Sequence, residues 1–176
     1  MKIEDNFLDQ NLFDEIQTLM MGEDFAWYYS DIIDFEDDEI DKFMFSCLFY
    51  IDKLQVLLFP QLAPTSNIIE QLTPILEILN PLSIFRIKAN LLTRTPNIIK
   101  NEFHVDMGGI PEEKLKQFTT SIFYVNTNNG WTEFEDGTKV ESVANRMVTF
   151  PANVKHRGTS CTDEKIRVVI NFNYFK

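Results

Sequence analysis

The residues best suited to chemistry are the two histidines, His104 and His156, which are the only histidines in the 176-residue chain. Asp106 follows His104 by two positions. Because residues i and i+2 of a strand point to the same side, the two side chains should project together. If the fold brings His156 to them, the three form a two-histidine, one-carboxylate set that favours Fe(II) and leaves three coordination positions open. Taken alone, the His-x-Asp pattern fits an ordinary surface pair better, and metal binding is the sharper hypothesis.

Arg167 lies eleven residues after His156, inside the apolar run of residues 166–172. An arginine in such a strand is costly unless a carboxylate or phosphate meets it. Tyr124 lies mid-strand in the run of residues 121–126, and its hydroxyl could point toward the same anion. For Arg167 a solvated strand face is the alternative, and for Tyr124 alone packing in the core is the better interpretation.

The second half of the chain predicts many short strands separated by turns. Turn signals are Thr95-Pro96-Asn97, Asn128-Asn129-Gly130 and Asp136-Gly137. Short strands at near-regular spacing are typical of a sandwich or barrel. The predicted strands are Ser83–Arg94, Asn101–Met107, Thr119–Asn126, Thr132–Glu135, Lys139–Val143, Met147–Phe150, Val154–Ser160 and Ile166–Phe175.

The first half predicts helices that support this sheet. Apolar residues from Phe7 to Leu19 recur at helical spacing, and a second helix is expected after a cap at Asn67, with Pro74 kinking or shortening it. Phe25–Ile32 and Phe43–Val56 are interpreted as strands. The fold class is therefore mainly β (α+β), with helices packed outside.

Composition restricts the class of protein. The hydrophobic content of 44% suffices for a sizeable core, and the net charge of −11 makes nucleic acid or an anionic membrane an improbable partner. Residues 1–88 carry most of the acidic groups. The acidic run of residues 34–41 is interpreted as a solvated loop, with a docking surface for a basic partner as the alternative.

The location expected from the sequence is the cytoplasm. Neither a signal peptide nor an apolar stretch of bilayer length is predicted. Cys47 and Cys161 fit neither a metal-binding spacing nor a disulfide framework, and are interpreted as reduced thiols. Walker loops, dinucleotide-binding glycine patterns and Gly-x-Ser-x-Gly elbows are not found, so nucleotide-binding and triad-hydrolase functions are unsupported.

Taken together, these residues resemble the Fe(II)/2-oxoglutarate-dependent dioxygenases, most closely the prolyl-4-hydroxylase-like branch. The likeness covers about residues 83–176. It rests on the order of His104-x-Asp106, the Ser-Ile-Phe-Tyr-Val-Asn strand at 121–126, Gly130-Trp131-Thr132, Phe150-Pro151, His156 and Arg167. Two departures are Gly130-Trp131, where a Gly-Gly pair is common, and Val169, where some branches have Ser.

The resemblance implies a fold and a set of roles. The fold is a double-stranded β-helix, or jelly roll, with N-terminal supporting helices. His104, Asp106 and His156 match the iron ligands, Arg167 matches the residue that pairs with the distal carboxylate of 2-oxoglutarate, and Tyr124 matches the tyrosine that hydrogen-bonds it. Residues 1–176 would be a single oxygenase domain, with 1–82 as a support region and 83–176 as the jelly-roll core.

The implied activity uses Fe(II), 2-oxoglutarate and dioxygen. Oxidative decarboxylation of 2-oxoglutarate to succinate and carbon dioxide is coupled to hydroxylation of a substrate, and Asp106 favours hydroxylation over the halogenation of related enzymes. A planar guanidinium in a rigid strand is suited to hold one end of the dianion. A prolyl residue in a peptide, a free amino acid or another small molecule is the expected substrate; no oligomeric state is predicted.

Further residues are assigned more loosely. Arg86, Lys88 and Asn90 alternate on one face of the Ser83–Arg94 strand, and Asn90 contacts cosubstrate or substrate if that face looks into the barrel. Residues 96–101 form a candidate lid. Three aromatic residues are candidates for a substrate surface, with core packing as the alternative: Trp27, Tyr28 and Trp131.

Two other functions remain open. A cupin-type metal-binding jelly roll would use the same three ligands without oxygenase chemistry, but it has no general need for the anion-binding pair Arg167 and Tyr124. A catalytically silent binding module would keep the fold, although the intact ligand set and Arg167 argue against such decay.

Overall fold

The structure of the chain is a computed structural model that describes residues 1–31, 33, 42–58, 63–65 and 68–176. Strands dominate these residues. The strands are β1 (Lys2–Glu4), β2 (Tyr28–Ser30), β3 (Met44–Ile51), β4 (Ser83–Thr93), β5 (Phe118–Tyr124), β6 (Trp131–Phe134), β7 (Lys139–Glu141), β8 (Arg146–Pro151), β9 (His156–Gly158) and β10 (Ile166–Phe175). The helices are α1 (Gln10–Met21), α2 (Lys53–Leu58), α3 (Thr73–Leu79) and α4 (Glu112–Leu115), with a 3₁₀ turn at Ile69–Leu72.

The strands form two antiparallel sheets. The larger has the order β1-β8-β5-β10-β4-β3-β2, and the smaller has the order β7-β6-β9. This arrangement confirms the mainly β, jelly-roll fold with supporting helices that the sequence predicts. The central strands β5 and β10 are buried almost throughout, because helices cover one face of the large sheet and the small sheet covers the other.

The two faces of β5 show the two layers. Phe123 packs with Phe13 of α1 in the cluster between helices and large sheet, with ring centroids 6.1 Å apart. Ile122 and Tyr124 face the other way, into the cluster between the sheets that includes Phe134. Because side chains alternate along a strand, β5 and β10 present one face to the helices and one to the interior of the jelly roll. The interior face is where the candidate site lies.

Several boundaries differ from those the sequence predicts; β2, β7 and β9, for example, are shorter than expected. β3 does not continue to Val56, because Asp52 ends it and caps α2: its carboxylate accepts the N–H of Leu54. The segment 101–107 is not a continuous strand, and its one bridge to β9 joins His104 and His156. Helix α1 begins at Gln10, since Asp9 caps it, and residues 2–4 form an edge strand against β8. Pro74 lies in the first turn of α3, as the expected shortening requires.

Other expectations lie partly or wholly outside the described residues. The acidic run 34–41 and the predicted cap Asn67 are among these. Within the described part, no helix is both long and apolar enough to cross a membrane. Cys47 and Cys161 are buried thiols.

Candidate metal and anion site

The structure brings His104, Asp106 and His156 together, although His104 and His156 are 52 positions apart in the sequence. One ligand atom from each lies within 4.8 Å of the others. The convergence follows from the backbone, since His104 and His156 form an antiparallel bridge in which each N–H donates to the other's carbonyl at 3.0 Å. Asp106 follows two residues later, which puts its carboxylate beside both rings.

The backbone also orients the imidazole rings. Nδ1 of His104 lies 3.1 Å from the carbonyl of Glu102, and Nδ1 of His156 lies 3.3 Å from that of Val154. A carbonyl only accepts, so Nδ1 carries the proton in each bond and Nε2 keeps its lone pair. Both Nε2 atoms lie 3.8 Å from Oδ1 of Asp106. The three atoms that face one another are therefore the ones that a divalent metal uses.

Polar side chains of β10 and β4 hold the Asp106 carboxylate in place. Asn173 Nδ2 donates to Oδ2 at 2.9 Å, Asn171 Nδ2 lies 3.4 Å from both oxygens, and Arg86 Nη2 lies 3.6 Å from Oδ1. Burial alone would raise the pKa of Asp106, but the neighbouring His156 and Arg86 and the bond from Asn173 outweigh it and lower this pKa to about 2. The carboxylate is thus ionised, as a metal ligand must be.

The two histidines differ in exposure. His156 is 3% exposed and packs edge-on against Phe150, with ring centroids 4.9 Å apart. Burial lowers its pKa, which favours the neutral, metal-binding form. The side chain of His104 is 37% exposed. The site is therefore closed on the His156 side and open on the His104 side.

Arg167 lies in the interior of the jelly roll and is 3% exposed. Its Nε donates to Ser142 Oγ at 2.8 Å and its Nη2 to Thr132 Oγ1 at 3.3 Å. Among the residues that the structure describes, no carboxylate lies within 4 Å of this guanidinium. A buried cation held only by hydroxyl groups has a large desolvation cost, and an anionic ligand would offset it.

Tyr124 belongs to the same cluster. Its hydroxyl donates to Thr132 Oγ1 at 2.8 Å, and its ring lies 5.8 Å from the Arg167 guanidinium carbon. Burial raises the pKa of Tyr124, so the phenol stays protonated and able to donate. Since Thr132 Oγ1 accepts from both Tyr124 and Arg167, its own proton remains for a further acceptor.

The pairing of β6 with β9 indicates how far the Arg167 cluster lies from His104, Asp106 and His156. His156 pairs with Phe134, and Gly158 pairs with Thr132 two residues along. Two strand residues span about 7 Å, a length suited to a small dicarboxylate with one end at each place. Gly158 leaves this space open, because a Cβ there would lie 3.5 Å from Nη1 of Arg167.

The remaining predicted residues lie elsewhere. Asn90 is on the interior face of β4, in register with Val169, and makes no hydrogen bond to the triad or to Arg167. Trp27 packs against Phe25 at 4.8 Å, and Tyr28 is exposed on β2. Trp131 lies under the ammonium of Lys139 at 4.6 Å. None of the three aromatic residues contacts the triad, and core packing is the correct alternative for Trp27.

The candidate lid is tied to β9 and the residues that follow it. Ile99 N–H donates to Ser160 Oγ at 2.8 Å, and Asn101 N–H donates to the carbonyl of Gly158 at 3.1 Å. Segment 96–101 therefore borders the space beside Arg167. The roles of Asn171, Asn173, Thr132 and Ser142 were missed in the sequence analysis. The signal was the alternation of Asn171 and Asn173 with Arg167 on one face of β10.

The fold resembles solved structures of 2-oxoglutarate–Fe(II) oxygenases. A family member from Burkholderia pseudomallei shares 10% identity at a TM-score of 0.61, covering 97% of this chain and 82% of its own. A prolyl hydroxylase from Trichoplax adhaerens, solved with a peptide of hypoxia inducible factor, shares 12% identity at 0.58, covering 99% and 82%. The α-ketoglutarate-dependent epimerase SnoN of nogalamycin biosynthesis shares 14% identity at 0.61, covering 99% and 76%.

No protein-family model matches the sequence, and no curated protein matches it. At identities of 10–14%, the likeness establishes the fold. The resemblance predicted from the sequence is confirmed at that level, prolyl hydroxylases included.

Proposed function

We propose that the chain is an Fe(II)- and 2-oxoglutarate-dependent dioxygenase that hydroxylates its substrate. The observation that carries this proposal is the pairing of two features in one interior. One is the convergent set of His104, Asp106 and His156. The other is the buried Arg167, whose guanidinium has no carboxylate of a described residue within 4 Å. Oxygenases of this fold need both a metal and a dianionic cosubstrate.

The donor set fits Fe(II). Two neutral imidazole nitrogens and one ionised carboxylate are the ligands of a facial triad, which leaves positions for cosubstrate and oxygen. In this proposal Nε2 of His104, Nε2 of His156 and Oδ1 of Asp106 hold the ion, and Asn173 fixes the carboxylate. When bound, the iron supplies the activation of dioxygen.

Arg167 binds the far carboxylate of 2-oxoglutarate in this proposal. Its planar guanidinium offers two parallel N–H groups, and the Thr132 hydroxyl, which accepts from Tyr124 and keeps its own proton, completes the donor set. The buried walls formed by Phe134 and Phe150 keep water from the reacting atoms. Asn90 remains a candidate contact for cosubstrate or substrate.

The overall reaction balances in atoms and electrons. A C–H bond of the substrate, 2-oxoglutarate and dioxygen give a C–OH bond, succinate and carbon dioxide. One oxygen atom enters the new hydroxyl and the other enters succinate. The protein holds the C–H bond against the open side of the site at His104.

The substrate is a peptide or a small molecule in this proposal. Likeness to a prolyl hydroxylase solved with a peptide supports a prolyl residue, and the half-open site also suits a free amino acid. Asp106 at the carboxylate position supports hydroxylation over halogenation. The cupin alternative leaves Arg167 without a function, and for this reason we favour the oxygenase.

Spectroscopy tests the proposal without knowledge of the substrate. We expect 2-oxoglutarate, added without oxygen to the Fe(II)-loaded protein, to produce a visible absorption band. Arg167→Lys keeps the positive charge but loses the two parallel N–H groups of the guanidinium. Half-saturation of the band should therefore need about tenfold more 2-oxoglutarate. His156→Ala should bind little iron and give no band.

Arg157→Lys is the matched control. Arg157 lies on the outer face of β9, where its guanidinium meets Glu133 at 3.1 Å. Its replacement should leave the band and its 2-oxoglutarate dependence unchanged. A wild-type protein that binds iron but gives no band at saturating 2-oxoglutarate would contradict the oxygenase and favour the cupin.

A further inference from the structure

The interior face of β4 carries a cation that the proposed iron and 2-oxoglutarate sites do not use. Lys88 lies between Arg86 and Asn90 on that face and is in register with Asn171 of β10. It is half-buried, and within the described part of the chain its ammonium has no hydrogen-bond or ion-pair partner. The Arg86 charge is balanced by Asp106, which lies 3.6 Å away, so Lys88 is the uncompensated cation of this region.

Asn171 places an unpaired acceptor opposite Lys88. Its side-chain amide contacts both oxygens of Asp106, and an ionised carboxylate can only accept, so the NH₂ group must face Asp106. Oδ1 of Asn171 then points away, and it is buried with no partner in the described structure. The residue is 7% exposed. A buried carbonyl in this state costs free energy until a donor reaches it.

Asn90 supplies a second acceptor of the same kind. Its Oδ1 is buried without a partner. It lies two residues from Lys88 on the same face of β4, about 7 Å along the strand. One ammonium and two buried, unpaired amide oxygens therefore lie on the same interior face of the sheet, and Asn171 is also in contact with Asp106.

We propose that Lys88, Asn90 and Asn171 form a substrate subsite that binds a carboxylate and a neighbouring N–H group, as in a free amino acid or the C-terminal residue of a peptide. The ammonium pairs with the carboxylate, and the amide oxygens accept from the amino or amide nitrogen. This inference rests on the proposed oxygenase function, because it places the substrate beside Asp106.

Lys88 lies well away from Arg167, the residue proposed to bind the far carboxylate of 2-oxoglutarate. Lys88 pairs with Asn171, whereas Arg167 is four residues away on β10, a span of about 13 Å. Asp106 lies against Asn171 and Asn173, so Lys88 is level with the nearer edge of this carboxylate, and Asn90, in register with Val169, lies between that level and Arg167. The proposed substrate is therefore held beside Asp106, and the far carboxylate of 2-oxoglutarate at the other end of this span, at Arg167.

The charge state of Lys88 agrees with this role. Burial and the neighbouring Arg86 lower its pKa to about 8, although Asp106 acts in the opposite direction. The ammonium is therefore mainly protonated at pH 7 and able to pair with a carboxylate.

Succinate formation tests the subsite. The Fe(II)- and 2-oxoglutarate-loaded protein is supplied with the twenty free L-amino acids, with tripeptides ending in each of them, and with the corresponding methyl esters or C-terminal amides. We expect at least one free acid to stimulate succinate formation, and its ester or amide to do so at least tenfold less. Lys88→Met should raise the KM for that acid at least tenfold, and Lys88→Arg should restore part of the loss.

Controls separate a substrate role from a cosubstrate or folding role. Lys88→Met should form the anaerobic band at the same 2-oxoglutarate concentration as the wild type. Lys116→Met makes the same substitution at an exposed lysine, and it should change neither the band nor the KM. Asn90→Leu should raise the same KM, which covers the case in which Lys88→Met fails to fold.

Three results would overturn the subsite. The first is that no compound stimulates succinate formation, or that only compounds without a free carboxylate do so. The second is an unchanged KM in folded Lys88→Met and Asn90→Leu. The third is a weakened 2-oxoglutarate band in Lys88→Met. All three are read in a wild-type protein that forms the band; loss of the band from the wild type would contradict the oxygenase itself.

Discussion

At the scale of single residues, the interior of the jelly roll is unusual in the number of charged groups that it holds without conventional partners. Hydroxyl groups hold Arg167, and amide groups and Arg86 hold Asp106. Among the described residues, no side chain pairs with Lys88. A core under selection for stability alone would not keep such groups, because each has a desolvation cost. Their arrangement fits the proposed metal and 2-oxoglutarate sites.

The unpaired Lys88 should destabilise the ligand-free protein, and the cost should depend on pH. Its pKa is about 8 in the folded chain and 10.5 in the unfolded one. Below pH 8 both states are protonated and the full cost, roughly 2–3 kcal/mol, is present. Between pH 8 and 10.5 the unfolded state binds more protons, so stability rises with pH and the cost disappears.

We therefore expect Lys88→Met to be more stable than wild type at pH 7, and the difference to shrink as the pH rises through 8 toward 10.5. Urea unfolding at a series of pH values measures it. The charged groups that face Lys88 are Arg86 and Asp106, and both are present in the two proteins, so the comparison isolates Lys88. A variant less stable than wild type at pH 7 would assign Lys88 a structural role.

At the scale of the elements, two glycines shape the space around Arg167 in different ways. A Cβ at Gly130 would lie 2.7 Å from the carbonyl oxygen of Ser160 and 2.8 Å from Cδ of Arg167, which is too close for either to remain in place. A Cβ at Gly158 would meet Nη1 of Arg167 at 3.5 Å and Nδ2 of Asn101 at 3.7 Å, which are ordinary contacts. Gly130 is required by close packing, whereas Gly158 leaves open the space proposed to hold the anion.

Alanine at each glycine should separate these roles. Gly130→Ala should lose about 1–3 kcal/mol of unfolding free energy, because backbone and Arg167 must shift. Gly158→Ala should keep wild-type stability but weaken 2-oxoglutarate binding by about tenfold, since its methyl group fills space in front of the guanidinium. Thermal unfolding and titration of the anaerobic band measure the two effects. Unchanged affinity for 2-oxoglutarate in Gly158→Ala would show that the cosubstrate carboxylate does not bind beside β9.

The elements also show how far the sequence determines the site. β10 was predicted with its observed bounds, and β4 to within one residue, because both are long apolar runs between clear turns. The continuous strand expected over residues 101–107 was wrong, since only two short bridges to β9 and the residue after it were needed to align His104. His104, His156 and Arg167 were identifiable by residue type. Asn173 and Thr132 were not, because their importance arises only from distant strands that meet.

At the scale of the whole molecule, the helical first half and the β-rich second half share one sheet and one hydrophobic cluster. β3 pairs with β4 along most of its length, and α1 contributes Phe13, Ile16 and Met20 to the cluster that contains Phe123. The edge strand β1 adds to β8, and Arg146 pairs with Asp5. We propose that residues 1–82 and 83–176 fold as a single domain, with the first half covering the face of the sheet opposite the site.

This proposal predicts that residues 83–176 do not fold alone. Without the first half, the helix-facing side of β4, β5 and β10 loses the ten buried partners that the described residues of that half provide, among them Phe13, Phe49 and Ile75. At about 1.5–3 kcal/mol for each large side chain, the loss exceeds the 5–15 kcal/mol by which a domain of this size is stable. Circular dichroism and urea unfolding of the fragment should show no cooperative transition, and adding residues 1–82 as a separate chain should restore one. A cooperative transition in the isolated fragment, close to that of the full chain, would make the jelly roll a domain of its own and the first half an accessory layer.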